Sequence, residues 1–209
     1  MKENTTIIEN STIAGNLYDK YGSKNPIVKY LMKRFLYSFE ELVVSTRATK
    51  IHEVGCGEGN LSIKLAKENK TVCASDLSKQ IISIARENAV NLHVNINFKV
   101  AGIYDLTPEN DSAELIVCCE VLEHLEDPQR ALTILSRLAK PYLIVSVPRE
   151  PLWRILNLAR GKYISVFGNT PGHIQHWSKT SFMKLLSSYY DIIRVLTPTP
   201  WIMVLCRPK

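Results

Sequence analysis

The chain lacks any apolar run long enough to cross a membrane. Its apolar stretches all fall short of the ~18 residues that a membrane-spanning helix needs. The opening stretch MKENTTIIENST is polar and has no long apolar segment of the signal-peptide kind. The 209 residues show no internal repeat, and 45% of them are hydrophobic and 22% charged, which is typical of one globular domain. We therefore expect a single-domain cytoplasmic protein.

Paired cysteines are also missing. The five cysteines include no CxxC pair, and most of them sit in apolar, strand-like runs. This pattern indicates buried free thiols in a reducing compartment rather than a disulfide framework.

Positive charge is in modest excess but is not concentrated. The formal net charge is +6, and the densest basic cluster, KYLMKRF, has apolar residues at helical spacing. We interpret this cluster as a solvated helix face, with a nucleic-acid or lipid-headgroup surface as the alternative. No arginine-rich tract or RNA-binding module is visible, which argues against a nucleic-acid partner.

From about residue 50, short apolar runs alternate with segments of helical period. Strands that are apolar throughout favour a mostly parallel sheet covered on both faces. The last two runs flank a TPTP turn and predict an antiparallel hairpin at one edge. The expected fold is therefore α/β, a Rossmann-like, doubly wound sheet of seven strands. The seven runs are KIHEV, TVCAS, INFKV, ELIVCC, YLIVSV, IIRVL and WIMVLC.

Four helix starts are also visible, at Asn25, Ser78, Asp127 and Ser178. The first helix precedes every one of the seven strands, so we expect an N-terminal helical cap over 1–47 and a core over 48–209. An insert at about 149–176 is too long for a simple connection, and we expect it to act as a lid or to carry structure of its own.

The stretch HEVGCGEGN places Gly55, Gly57 and Gly59 directly after the first of these strands. Such a loop lets the backbone approach a ligand closely and aims helix N–H groups at it. The dinucleotide fingerprint GxGxxG needs a third glycine where this chain has Asn60. The loop therefore disfavours a dehydrogenase.

With Glu53, the loop resembles motif I of the class I S-adenosylmethionine-dependent methyltransferases, (D/E)-x-G-x-G-x-G. Asp76 matches the acidic residue that closes their second strand, and AELIVCCEVLEHLEDPQRAL resembles the fourth-strand motif of the branch related to quinone biosynthesis. YLIVSVP matches their fifth strand. The resemblance covers roughly residues 48–209.

The resemblance implies S-adenosylmethionine as cofactor. Glu53 suits its ammonium group, a helix N-terminus suits its carboxylate, and Asp76 suits both ribose hydroxyls. Many relatives have an aspartate for adenine where this chain has Gly102, so Ile103 is expected to hold adenine by apolar contact, with Asp105 as a possible polar substitute. The implied cofactor-binding residues are Glu53, Gly55, Cys56, Gly57, Gly59, Asp76, Leu77, Ile103, Glu120, Tyr18 and Tyr21.

For the residues that act on the methyl acceptor, two interpretations stay open. His124 is the best candidate for a general base, because an imidazole titrates near neutral pH. The less favoured alternative is a divalent ion, held as in small-RNA 3′-end methyltransferases and some quinone O-methyltransferases. The ligand set that this second resemblance implies is Glu120, Glu123, His124 and His173, with His173 preferred over His176.

The resemblance predicts methyl transfer to a small-molecule acceptor, with oxygen as the expected acceptor atom. An RNA-end methyltransferase with a metal-assisted site and a catalytically silent cofactor-binding regulatory subunit are the alternatives. The insert mixes apolar residues with arginines. It would form a lid over an apolar acceptor or an amphipathic segment at a membrane surface. Nothing in the sequence indicates an oligomeric state.

Overall fold

The computed structural model describes residues 7–9, 12–14 and 21–209. Tyr18 lies outside these residues. None of the helices in the described residues is long and apolar enough to span a bilayer. The strands are β1 Ile7–Glu9, β2 Thr12–Ala14, β3 Lys50–Val54, β4 Thr71–Asp76, β5 Asn97–Val100, β6 Ala113–Cys119, β7 Ala139–Pro148, β8 Tyr190–Leu196 and β9 Trp201–Pro208. The α-helices are α1 Pro26–Thr46, α2 Asn60–Lys67, α3 Lys79–Asn91, α4 Pro108–Asp111, α5 Pro128–Leu138, α6 Leu152–Ala159 and α7 Lys179–Ser187.

Strands β3 to β9 form one sheet of seven strands, in the order β5-β4-β3-β6-β7-β9-β8. The first five of these are mutually parallel. Strand β9 runs antiparallel to both β7 and β8 and lies between them. The predicted doubly wound, mostly parallel sheet with an antiparallel C-terminal hairpin is confirmed. Strands β1 and β2 form a separate antiparallel pair.

Both faces of the sheet are buried. Successive residues of β6 alternate between two clusters: Leu115 and Val117 pack with α1 and α2, whereas Ile116 and Cys118 pack with α5 and α7. A third cluster holds α3 against β4 and β5. Burial on both sides explains why these strands are apolar throughout.

All four predicted helix starts are confirmed. The side chain of Asn25 accepts hydrogen bonds from the backbone N–H groups of the first turn of α1. Ser78, Asp127 and Ser178 accept in the same way at the starts of α3, α5 and α7. Each cap supplies an acceptor to N–H groups that have no partner within the helix.

The predicted insert has structure of its own. Helix α6 opens it, and a 3₁₀ turn, Ile164–Val166, follows. Helix α1 packs on the sheet near the insert, and Phe35 meets Trp201 edge-on with ring centroids 5.0 Å apart. The domain boundaries drawn at 47 and at 149–176 stay predictions.

Candidate active site

The carboxyl ends of β3, β4 and β6 lie side by side, because these strands are parallel neighbours. This edge carries Glu53 on β3, Asp76 at the end of β4 and Glu120 directly after β6. In an open sheet of this kind, ligands bind at the edge formed by the strand ends. The candidate site is therefore built from three acidic residues that are distant in sequence.

The glycine loop crosses this edge in a backbone conformation that L side chains rarely adopt. Gly55, Gly57 and Gly59 have φ values of 74°, 52° and 80°. A Cβ at Gly55 would also overlap the Cγ2 atom of Val121. Gly55 and Cys56 donate their N–H groups to the Ser75 carbonyl over 2.8 and 3.0 Å. Glycine is needed here for both conformation and space.

Glu53 is a buried acid. Its side chain accepts a hydrogen bond from Ser62 Oγ on α2, and the residue is 3% exposed. Burial raises the pKa of Glu53 to about 8, although the hydrogen bonds from Ser62 lower it. A cation placed beside Glu53 would favour its ionised form.

Asp76 holds the glycine loop against the start of α3. Its Oδ2 atom accepts from the Gly57 N–H over 3.0 Å, and its Oδ1 atom accepts from the Ser78 N–H over 3.0 Å. Leu77 follows with 48% exposure. The carboxylate thus stands at the point where the loop and α3 meet.

The residues expected near adenine lie beyond β5. Ile103 is buried in a 3₁₀ turn, Ile103–Asp105. The Oδ2 atom of Asp105 accepts from the Gly102 N–H over 3.1 Å. The carboxylate of Asp105 therefore accepts a hydrogen bond from within its own turn.

Tyr21 lies close to the acidic edge. Burial, followed by the charges of Glu53, Glu120 and Glu58, raises the pKa of Tyr21 above its usual value. The phenol therefore stays protonated as a hydrogen-bond donor in acidic surroundings.

Glu120 is held between two strands. Its Oε1 atom accepts from Ser146 Oγ on β7 over 3.0 Å, and its Oε2 atom accepts from Trp201 Nε1 at the start of β9 over 2.6 Å. Its φ of 59° is unusual for a residue other than glycine. These bonds fix the loop that leads from β6 to His124.

The insert is joined to that loop through its backbone. Ile174 and Gln175 donate their N–H groups to the Glu123 carbonyl over 2.9 and 3.0 Å. The Nδ1 atom of His124 lies 2.9 Å from the Gly172 carbonyl oxygen and donates to it. A Nδ1–H donor leaves Nε2 as the nitrogen with a lone pair.

These contacts bring three ligand-type side chains together. Ligand atoms of Glu123, His124 and His173 all lie within 4.8 Å of one another. The two imidazoles meet edge-on with ring centroids 4.9 Å apart, and Trp153 stacks on His173 at 5.8 Å. Glu123 and His173 are buried, at 1% and 8% exposure. A carboxylate and two imidazoles are a suitable set for a divalent ion.

Two residues named with this set are not members of the 4.8 Å group. Glu120 is bonded to Ser146 and Trp201 and is not one of the three clustered residues. His176 contacts Asn169 and Arg154 through Nε2, over 2.8 and 3.2 Å. The structure therefore brings together three of the four side chains of the expected metal set.

Sequence reasoning missed the residues that hold the acids in place. Ser62, Ser146 and Trp201 each donate to a carboxylate of the site. Trp201 and Glu120 are 81 positions apart, and no local pattern signals such a contact. The sequence also gives no sign that the ring of Trp153, in the insert, contacts both His173 and Trp201.

Comparisons with known proteins agree with this geometry. A family model described as a methyltransferase domain matches residues 51–142. The chain is 27% identical over 191 residues to a ubiquinone biosynthesis O-methyltransferase of Coxiella burnetii, covering 84% of this chain and 80% of that protein.

Solved structures share the fold. The magnesium protoporphyrin IX methyltransferase of Synechocystis PCC 6803 with bound SAH superposes with a TM-score of 0.69 at 20% identity, covering 90% of each chain. The N-methyltransferase NodS of Bradyrhizobium japonicum WM9, in complex with S-adenosyl-L-homocysteine, gives 0.67 at 18% identity, covering 92% and 93%. Together with the glycine loop and its acidic partners, these matches identify a methyltransferase domain over residues 51–142 and support the resemblance to the class I S-adenosylmethionine-dependent methyltransferases.

Proposed function

We propose that this enzyme transfers the methyl group of S-adenosylmethionine to a hydroxyl oxygen of a small-molecule acceptor. The observation that carries the proposal is the clustering of Glu123, His124 and His173 directly after the loop that follows β6. The curated relative is named as an O-methyltransferase of ubiquinone biosynthesis, which supports oxygen as the acceptor atom. The fold does not decide this point, since a neighbour of the same fold is an N-methyltransferase.

The donor would lie across the acidic edge of the sheet. Glu53 is the proposed partner of the methionine ammonium, because a buried carboxyl with a raised pKa gains most from a nearby cation. Asp76 is the proposed acceptor for the ribose hydroxyls. Ile103 and Leu77 would contact adenine, and Tyr21 would close over the donor from the side of α1.

The three clustered side chains fit a divalent ion, and we propose that they hold one. They supply one carboxylate oxygen and two imidazole nitrogens, and His124 has its Nδ1 committed to the Gly172 carbonyl. When one ring nitrogen of a histidine binds an ion, a hydrogen bond from its other ring nitrogen fixes the orientation of the ring. When bound, such an ion orients an acceptor hydroxyl and lowers its pKa.

His124 has a different role if no ion is present. Its Nε2 atom would then accept the proton of the acceptor hydroxyl directly. In either case the balance is the same: the bond from sulfur to the methyl carbon breaks, and an oxygen–carbon bond forms. The hydroxyl proton passes to His124 Nε2 or, where that nitrogen would hold an ion, to solvent, and S-adenosylhomocysteine is released.

A screen with methyl-labelled donor tests the proposal. The acceptors would be phenols, their deoxy and amine analogues, lipid extracts and short RNAs. The proposal expects label in an O-methyl product of a phenol or lipid, with no label in the deoxy analogue. Label in RNA alone would favour the RNA-end alternative, and label in the amine alone would exclude oxygen as the acceptor atom.

A further inference from the structure

A buried histidine lies on β3, directly before Glu53. His52 is 2% exposed, and both nitrogens of its ring have a partner. The Nδ1 atom lies 2.8 Å from the Asp111 carbonyl oxygen, and the Nε2 atom lies 3.0 Å from Ser75 Oγ on β4. Because a buried polar group costs free energy unless it is paired, these two partners fix the position of the imidazole.

The two partners also define the protonation state of the ring. A backbone carbonyl can only accept, so Nδ1 has the proton and donates to Asp111. Burial lowers the pKa of His52, so the ring is neutral near pH 7 and Nε2 has a lone pair. The hydroxyl of Ser75 therefore donates its hydrogen bond to Nε2.

Ser75 anchors the glycine loop through its backbone. Its carbonyl oxygen accepts from the N–H groups of both Gly55 and Cys56, over 2.8 and 3.0 Å. Ser75 is fully buried, and the next residue, Asp76, accepts from the Gly57 N–H. His52 thus fixes the side chain of the residue whose carbonyl holds the first half of the loop.

The other ring nitrogen connects His52 to the segment that follows the turn Ile103–Asp105. Asp111 ends α4, and its Oδ2 atom accepts from the Thr107 N–H over 2.8 Å. Lys99 on β5 donates to the Oδ1 atom of Asp111, also over 2.8 Å. These two opposite charges act on the imidazole in opposite directions. His52 therefore lies between the glycine loop and the segment beyond β5, which are the two parts proposed to contact the donor.

We propose that His52 is a positioning residue for the donor: through Ser75 it holds the glycine loop in the conformation that binds S-adenosylmethionine. A loop that is already ordered loses little conformational freedom when the ligand binds, and this raises the affinity. The imidazole itself does not touch the donor. The inference rests on the donor site proposed above, and a purely structural role for His52 is the alternative that the test has to separate.

The test is calorimetric titration of the full-length protein with S-adenosylhomocysteine, which needs no acceptor. S75A removes the hydroxyl and keeps the carbonyl that binds the loop, whereas H52L removes both hydrogen bonds of the imidazole. Each variant should bind about three- to tenfold more weakly than the wild type. H52Q should recover part of the loss, because its amide oxygen can accept from the Ser75 hydroxyl.

The double variant H52L/S75A tests whether His52 acts through Ser75. If it does, the double variant should bind no more weakly than H52L, since H52L has already removed the contact that S75A removes. A loss equal to the product of the two single losses would mean that the residues act independently, and would overturn the proposal.

Y190F is the matched control. The hydroxyl of Tyr190 is buried and donates to the Leu132 carbonyl over 2.5 Å, within the cluster that α5 and α7 form on the sheet. Y190F should therefore unfold at a lower urea concentration and bind S-adenosylhomocysteine like the wild type.

S75A decides the proposal even if H52L does not fold. An S75A variant that is destabilised like Y190F but keeps the affinity of the wild type would show a purely structural role and overturn the proposal. Failure of the wild type to bind S-adenosylhomocysteine would instead overturn the donor site itself, and the inference with it.

Discussion

The indole nitrogen of Trp201 donates a hydrogen bond of 2.6 Å to Glu120 Oε2, and through it the last strand supports the loop that leads to His124. Ser146 holds the other carboxylate oxygen over 3.0 Å. The position of the site thus depends on a contact between residues 81 positions apart.

Replacing Trp201 by phenylalanine removes this hydrogen bond and keeps most of the ring packing. Loss of a hydrogen bond to a carboxylate should lower the free energy of unfolding by about 1.5–3 kcal/mol. Urea denaturation measures this change. Trp177 is also buried, at 9% exposure, and packs on Phe182. W177F is therefore the control, and an equal loss in both variants would mean that Trp201 acts by packing alone.

Donor binding should depend on pH through Glu53. Its pKa is raised to about 8 by burial, so the side chain is mostly protonated at neutral pH, and a cationic ammonium group would favour the ionised form. Binding should therefore release a proton, and affinity should rise between pH 6 and pH 8. Calorimetry in buffers of different ionisation enthalpy measures the proton release.

E53Q should bind the donor roughly tenfold or more weakly and should release no proton. E109Q, at an exposed glutamate of α4, should behave like the wild type. Proton release that persists in E53Q would assign the titration to another group.

The stability of the protein without ligand should also depend on Glu53. Its folded pKa of about 8 lies above the ordinary value of 4.5, so the folded state binds more protons than the unfolded state between these values. The free energy of unfolding should therefore fall as pH rises from 4.5 towards 8, by up to about 4 kcal/mol.

Denaturation of E53Q alongside the wild type isolates this effect. His52 acts in the opposite sense, because burial lowers its pKa and stability is lost as pH falls below its ordinary value of 6.5. The difference between wild type and E53Q removes the contribution of His52. A difference that does not change with pH would contradict the raised pKa of Glu53.

Gly55 should not tolerate a side chain. G55A adds a Cβ in the left-handed region and places it against Val121, which together should cost about 2–4 kcal/mol of stability. Gly161 has a φ of 66° but nothing within 4 Å of its Cβ position, so G161A should cost only about 1 kcal/mol. Adding V121A should restore part of the loss in G55A but none in G161A.

Metal binding should follow the three clustered side chains. Calorimetry with Mn²⁺ or Zn²⁺ should show one strong site in the wild type and a loss of about 10²-fold or more in E123Q and in H173A. H176A, three positions further along the same insert, should retain the site. Binding that is equally strong in H173A would remove the proposal of an ion at this cluster.

Much of the fold follows from short-range patterns. The caps at Asn25 and Ser78 act on N–H groups within three residues, so the sequence alone is enough to predict them. The uniformly apolar strands similarly indicate a sheet that is covered on both faces. The positive φ at Gly55 and Gly59 could be expected, because three glycines in five positions are typical of a loop that needs the left-handed region.

The rest of the site depends on contacts between distant segments. Glu120 is expected beside an ion or the donor, and that prediction stands untested, but the sequence does not reveal that its oxygens accept from Ser146 and Trp201, which belong to two other strands. His173 reaches His124 because Ile174 and Gln175 pair with the Glu123 carbonyl. Neither arrangement can be inferred from local periodicity, since each depends on how two elements pack.

Single-turnover methyl transfer, comparing H173A with H176A, tests the account most directly. Both variants remove one imidazole from the same insert, and the measured quantity is the rate at which labelled methyl reaches the acceptor oxygen. The account predicts that H173A is slower by about 10²-fold or more, whereas H176A transfers methyl like the wild type. Equal rates in H173A and the wild type would contradict it.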